Sequence, residues 1–248
     1  MSDRARNLLA RYLQQRREIG EIEIVFSQDV HEVLSAIAAA PAAPIATPVA
    51  ATVHPEPSAP AATRSLQVLG ETAGKCTACR LAETRSTVVF GEGDPAARVV
   101  VVGEAPGAEE DRTGRPFVGR AGKLLDQLLA SSGFPRETVY ICNVLKCRPP
   151  GNRNPQPDEV ESCNPFLKGQ LQTIGPSAIL ACGTFPAQTL LGTSQPIGRL
   201  RRSSQSYEGI PLIATYHPAA LLRNPSWIRP VWADLQRLRQ IVDEADVE

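Results

Sequence analysis

The stretch VVVVGEAPGAEEDRTGRPF at residues 99–117 breaks from four consecutive valines into glycine, proline and four acidic residues. An unbroken apolar run suits a strand at the centre of a parallel sheet covered on both faces, whereas a half-exposed strand would alternate. Gly103, Pro106 and Gly107 then allow a tight turn that leaves Glu104 at the carboxyl end of the strand. In open α/β sheets that end is where ligands bind. The spacing is not GxGxxG, and no GxxxxGK[ST] occurs in the chain, so neither a dinucleotide cofactor nor a phosphate-loop nucleotide is expected.

Outward from this strand, apolar runs alternate with amphipathic stretches. The pattern predicts strands at 98–102, 138–144, 178–182 and 211–215. Helices are expected at 119–131, closed by Gly133 and Pro135, and at 158–173, 185–191 and 229–243. Alternation of this kind implies right-handed βαβ units. The fold class is therefore α/β, a three-layer αβα arrangement around a mostly parallel four-stranded sheet. This domain is expected to span 65–248. Upstream, DRARNLLARYLQQRRE places Leu8, Leu9, Tyr12 and Leu13 at helical spacing, so residues 1–37 read as a short helical extension. Residues 38–64 are dominated by alanine and proline and read as a disordered linker, an inert extension being preferred over a tether for a partner-binding helix.

Formal net charge is zero, but its distribution is uneven. Residues 71–240 carry 20 basic and 15 acidic side chains, a surplus of five, followed by four acids and no base after residue 240. A moderate positive surplus fits a nucleic-acid partner. No signal-peptide pattern opens the chain and no apolar run approaches about 18 residues, so a soluble, cytoplasmic monomer is expected. Disulfides are disfavoured in that compartment. The six cysteines then need another role. Cys76 and Cys79 form a CTAC turn in a polar context, while Cys147 and Cys163 bracket the rigid loop RPPGNRNPQP. Two thiolates from a tight turn plus two from distant positions suit a four-sulfur cage, for zinc or for an iron–sulfur cluster, and spacing does not choose between them. Cys142 and Cys182 lie inside apolar strands and read as core residues.

Four segments together resemble the family 4 uracil-DNA glycosylases, enzymes that carry an iron–sulfur cluster. They are CTACRLAETRSTVVFGEGDP at 76–95, VGEAPGAEEDRTGRPFVGRAG at 102–122, NVLKCRPPGNRNPQPDE at 143–159 and YHPAALLRNP at 216–225. The resemblance covers about residues 70–240 in the family's order. It implies a 4Fe-4S cluster on Cys76, Cys79, Cys147 and Cys163, uracil-containing DNA, single- or double-stranded, as partner, and hydrolysis of the uracil N-glycosidic bond, with the N-terminal extension open to a repair or replication partner. The nucleotide must leave the duplex to be reached. Phe117 would then stack on the uracil ring, Asn143 would pair with its O4 and N3–H, and His217 would donate to O2. Gly103, Ala105 and Gly107 would shape the pocket wall. Glu104, supported by Glu110, would face the sugar as positive charge develops there. Leu221, Leu222 and Arg223 are candidates for a wedge filling the vacated stack. Lys146, Arg148, Arg153, Arg120 and Lys123 are candidates for phosphate contacts.

Two rival functions remain open on sequence. One is a covalently trapping relative, whose GEQPG motif and inserted basic loop ending in histidine are not matched by GEAPG and the uninterrupted GRPFVG at 114–119. The other is a non-enzymatic, zinc-stapled module that binds nucleic acid.

Overall fold

The computed structural model describes residues 59–245. The expected N-terminal helix, most of the linker and the last three residues of the acidic tail lie outside them.

The first described element is a helix, α1 (Ala59–Gly74), followed by the short strand β1 (Glu92–Gly93). Strand β2 (Val99–Gly103) leads through α2 (Ala108–Thr113) and α3 (Arg120–Ser131) to β3 (Tyr140–Asn143). Then come α4 (Pro157–Ile174), β4 (Ala178–Cys182), α5 (Thr184–Leu191) and α6 (Ile197–Leu200). The chain closes with the hairpin β5 (Gln205–Tyr207) and β6 (Ile210–Thr215), then α7 (Pro218–Arg223) and α8 (Ile228–Glu244). The six strands form one sheet in the order β1-β3-β2-β4-β6-β5. The four inner strands are parallel, as expected from sequence.

Two corrections apply to that expectation. The sheet has six strands, because β1 and β5 add short antiparallel edges. At two and three residues they are too short to show a periodicity of their own. Helix α1 also begins inside the stretch expected to be linker. Its Ala62, Leu66 and Ala73 are buried, and the Leu69 side chain lies against Gly169 of α4. Tertiary burial therefore overrides a composition poor in large apolar side chains.

The reason for the valine run is visible in the core. Val99 and Val101 face one layer with Ile141, Leu180 and Ile213, covered by α3 and α8. Val100 and Val102 face the other with Cys142, Ile179 and Leu212, covered by α1, α4 and α5. A strand with both faces covered has no polar face to show. Cys142 and Cys182 are fully buried in these layers, as expected.

This topology fixes the site. From β2 the chain moves to β3 on one side, then returns to place β4 on the other. In such sheets the crevice at the carboxyl ends, where the order reverses, is the natural ligand site. Register places Gly103 of β2 beside Asn143 of β3, and β6 ends two residues before His217.

Candidate functional site

An open cleft of about 500 Å³ lies at those carboxyl ends. Glu104, Ala105, Gly107, Glu110, Phe117, Asn143 and His217 all line it, together with Arg223. Seven of the eight residues expected to act on the base or sugar thus face one space: five follow β2 or lie in or after α2, and Asn143 and His217 bring in β3 and α7. Gly103 is the eighth and lies just behind the wall. A Cβ there would overlap the Asn143 Oδ1 and meet the Phe117 ring, so only glycine lets both side chains approach.

Asn143 ends β3 and is 2% exposed. Its side-chain amide makes no hydrogen bond to another described residue, so a donor and an acceptor sit buried and unsatisfied at the cleft. Such groups are costly unless a partner arrives. Its main-chain carbonyl, by contrast, accepts from the Lys146 ammonium at 2.7 Å.

His217 caps the amino end of α7, where its Nδ1 accepts from the Ala219 N–H at 3.2 Å. Burial, with a further contribution from Arg223 and against the pull of Glu110, pushes its pKa down to about 4. The ring is therefore neutral near pH 7. With Nδ1 accepting, the proton resides on Nε2, which is left as the donor. The imidazole also stacks with Phe117 at 5.7 Å between centroids.

Phe117 has a φ of 50°, a left-handed conformation that non-glycine residues seldom adopt. Strain of this kind costs of order 1–3 kcal/mol and must be held by its surroundings. Gly122 of α3 makes room, since a Cβ there would overlap the Phe117 carbonyl.

The acids divide into distinct roles. Glu104 makes no ion pair with another described residue, and burial pushes its pKa up. Glu110 accepts from the backbone N–H groups of Gly107 at 3.1 Å and of Val118 and Gly119 at 2.9 Å, so its carboxylate shapes the loop. Asp111 is buried and accepts from the Ser86 N–H at 2.9 Å, tying this loop to the segment after the CTAC turn. Only Glu109 is a solvated acid, paired with Arg112.

A second recess, about 300 Å³ with its open side included, is lined by Cys76, Cys79, Cys147 and Cys163. The topology thus gathers the four expected ligands and excludes the two core cysteines. The Lys146 N–H donates to the Cys163 Sγ at 3.2 Å, and the Arg85 guanidinium donates to the Cys147 Sγ at 3.4 Å. Burial pushes the Cys163 thiol up to about 11 and the Cys147 thiol upward. A bound metal would reverse that and hold both as thiolates. Among the described residues no group of three or more His, Cys, Asp or Glu side chains is arranged to hold a metal ion as it stands.

Two expectations for DNA contact are corrected. Lys146 is 1% exposed, its ammonium donating to the Asn143 carbonyl and to Gln170 Oε1 at 2.6 Å, and it cannot reach a phosphate. Leu221 is 1% exposed in the core layer with α3 and α8, so it is not a wedge. Helical spacing decides this: one residue on, Leu222 is 42% exposed and Arg223 is exposed beside it. Arg148 is bonded to Asn152, and Arg153, at the cleft, is held by the buried Glu159 at 2.5 Å. Arg120 and Lys123 are exposed on α3. Sequence reasoning missed Arg136, a partly buried residue before β3 that bonds the Pro116 and Phe117 carbonyls. No motif or spacing marks it.

A parallel sheet between helical layers, with a cleft at its carboxyl ends and a buried, unsatisfied asparagine facing a neutral histidine donor, defines a class that comparison makes explicit. Residues 90–236 match the model of the uracil DNA glycosylase superfamily, and the chain belongs to that superfamily. Its place within it is among the type-4 enzymes. It is 46% identical over 185 residues to a type-4 uracil-DNA glycosylase of Thermotoga maritima, covering 74% of this chain and 91% of that protein. A type-4 uracil-DNA glycosylase of Archaeoglobus fulgidus is 42% identical over 174 residues, 67% of this chain and 87% of its own length. One of Sulfurisphaera tokodaii is 39% identical over 186 residues, 71% and 84% of the two chains. No described helix is long and apolar enough to cross a membrane.

Proposed function

We propose that this chain is a DNA-repair hydrolase that accepts uracil flipped out of DNA and cleaves its N-glycosidic bond, leaving an abasic site. The observation that carries the reading is the pairing of Asn143, buried with both amide functions free, with a histidine whose tautomer leaves Nε2–H as donor in the same cleft. Asn143 donates to uracil O4 and accepts from N3–H. Cytosine, with an amine at position 4 and no N3 proton, leaves both bonds unmade. Phe117 supplies a stacking face worth about 1–3 kcal/mol per base, which offsets part of the unstacking.

As the glycosidic bond breaks, charge gathers on uracil O2, where a preorganised neutral donor at His217 Nε2 stabilises it. The sugar becomes cation-like. Glu104, in the cleft and without an ion pair to another described residue, stabilises that cation or orients the attacking water. Glu110 acts through the loop it holds. Leu222 and Arg223 take the space the base vacates, while Arg120 and Lys123 meet phosphates.

Cys76, Cys79, Cys147 and Cys163 would hold a 4Fe-4S cluster. Support comes from a donor set arranged around a recess, together with N–H donors aimed at two of the sulfurs. Zinc would draw its four sulfurs onto one centre at about 2.3 Å. Such a group needs no redox role in a hydrolysis. Through Cys147 and Cys163 it would staple the loop between them, which carries Pro149, Asn152 and Arg153 to the cleft.

The direct test is incubation with uracil-containing single- and double-stranded DNA followed by alkaline cleavage of abasic sites. Uracil-dependent scission is expected. Its absence, where a control glycosylase works, sinks the reading, and a denaturant-resistant protein–DNA adduct would point to the covalently trapping relative. Cys163→Ser is expected to abolish the visible absorbance of the purified protein and lower its Tm, since a structural metal site contributes directly to folding. A colourless wild-type protein containing zinc would overturn the cluster assignment.

A further inference from the structure

Arg136 lies in the turn that leads into β3 and does not line the cleft, yet two of its guanidinium bonds go to the carbonyls on either side of the Phe117 nitrogen and α-carbon. Its Nη2 donates to the Pro116 carbonyl at 2.6 Å and its Nη1 to the Phe117 carbonyl at 3.3 Å. The same guanidinium is gripped from behind by Asp126 at 2.7 Å and by Glu92 at 2.8 Å. Glu92 is in turn held by Arg115 at 2.7 Å. On the far side of Phe117, Glu110 takes the next two backbone N–H groups. The peptides before and after the left-handed Phe117 are thus fixed by a cation from one side and an anion from the other.

We propose that Arg136 is a positioning residue for uracil: with Glu110 it clamps Phe117 in the left-handed conformation that lays its ring between Gly103 and His217. The clamp is a fork, which explains the residue type, because two carbonyls and two carboxylates need planar, divergent donors that a single ammonium does not offer. The proposal deepens the reading of Phe117 as the stacking face and rests on it. Released from the clamp, residue 117 returns to ordinary backbone angles and the ring leaves the floor. An error of about 1 Å in a bound reactant is enough for losses on the order of 100-fold.

The test is a double-mutant cycle in the full chain with its cluster, using Arg136→Met, Phe117→Ala and the pair. Each is assayed for uracil excision under single turnover and for inhibition by free uracil. Arg136→Met is expected to lower kcat/KM on the order of 10- to 100-fold and to weaken inhibition by uracil. In the Phe117→Ala background it should change either quantity by less than about threefold, because residues acting as one unit are not additive. Backbone amide signals of residues 118 and 119 should shift in Arg136→Met while those of β4 and β6 stay in place. Arg136→Lys keeps the charge without the fork, and serves with the same expected pattern if the methionine variant does not fold. Fully additive losses, or unmoved signals at 118 and 119, overturn the proposal while leaving the stacking reading intact. Wild-type excision by Phe117→Ala overturns the stacking reading itself and the clamp's purpose with it.

Discussion

His217→Ala lowers the single-turnover rate of uracil excision on the order of 10²- to 10³-fold, the scale seen when one preorganised donor to a developing anion is removed. Visible absorbance from a cluster on the four cysteines and most of the affinity for uracil-containing DNA should both survive, because the recess holding those cysteines shares none of its lining residues with the cleft. The pH dependence is a second expectation of the same geometry. The folded pKa lies near 4, below the ordinary value of 6.5, so the neutral ring persists across the physiological range. The acid limb of kcat/KM assignable to His217 therefore falls near pH 4, and no limb from this residue appears between pH 6 and 8. Protonation would replace the Nδ1 lone pair with an N–H facing the Ala219 N–H. The sign for stability follows: the unfolded chain binds this proton more readily than the folded one, so stability contributed here is complete above about pH 6.5 and lost as pH falls towards 4. A limb at pH 6–7 that vanishes in His217→Ala would refute the neutral-donor assignment.

Asn143→Ala is expected to lower excision by roughly 10²- to 10⁴-fold, because two bonds to the base are lost and each buried unmet group costs about 1–3 kcal/mol. The more telling number is the ratio of uracil to cytosine processing. Its collapse would come from loss of uracil activity rather than a gain on cytosine, since alanine offers cytosine nothing. Position 143 also tolerates the change sterically, because a smaller side chain beside Gly103 leaves space rather than a clash. Cluster absorbance and Tm measured alongside separate a reading residue from a structural one: an Asn143→Ala protein that is colourless or unfolded would show that the buried amide serves the fold. Retained discrimination with intact colour would show that the base is read elsewhere.

The sequence made the sheet and its ligand end legible because the strongest signals there are physical ones. Four valines in a row require cover on both faces, and glycine with proline directly after them requires a turn. Spacing also separated four cysteines from the two in strands, since context of burial travels with sequence. What it concealed are facts that depend on direction and reach. Lysine is charged and reads as solvated, but Lys146 folds back onto Asn143 and Gln170 and is buried. Leu221 and Leu222 are alike in sequence and opposite in exposure because successive helical residues diverge by about 100°. Arg136 stands 19 residues from Phe117, without any motif between them, and only the closure of the sheet brings it there. The short edge strands and α1 belong to the same group, defined by what they pack on rather than by what they contain.

The left-handed Phe117 also carries a consequence for selection. A conformation that weakens the folded state is kept only while its activity is demanded, so stability and turnover pull in opposite directions at this one position. Libraries screened for heat resistance alone should accumulate residues that tolerate a positive φ, glycine or asparagine, at position 117, and the survivors should be hardier proteins that leave uracil in place. Screens that demand both properties should spare this position and find their gains elsewhere, on the exposed faces of α1 and α8.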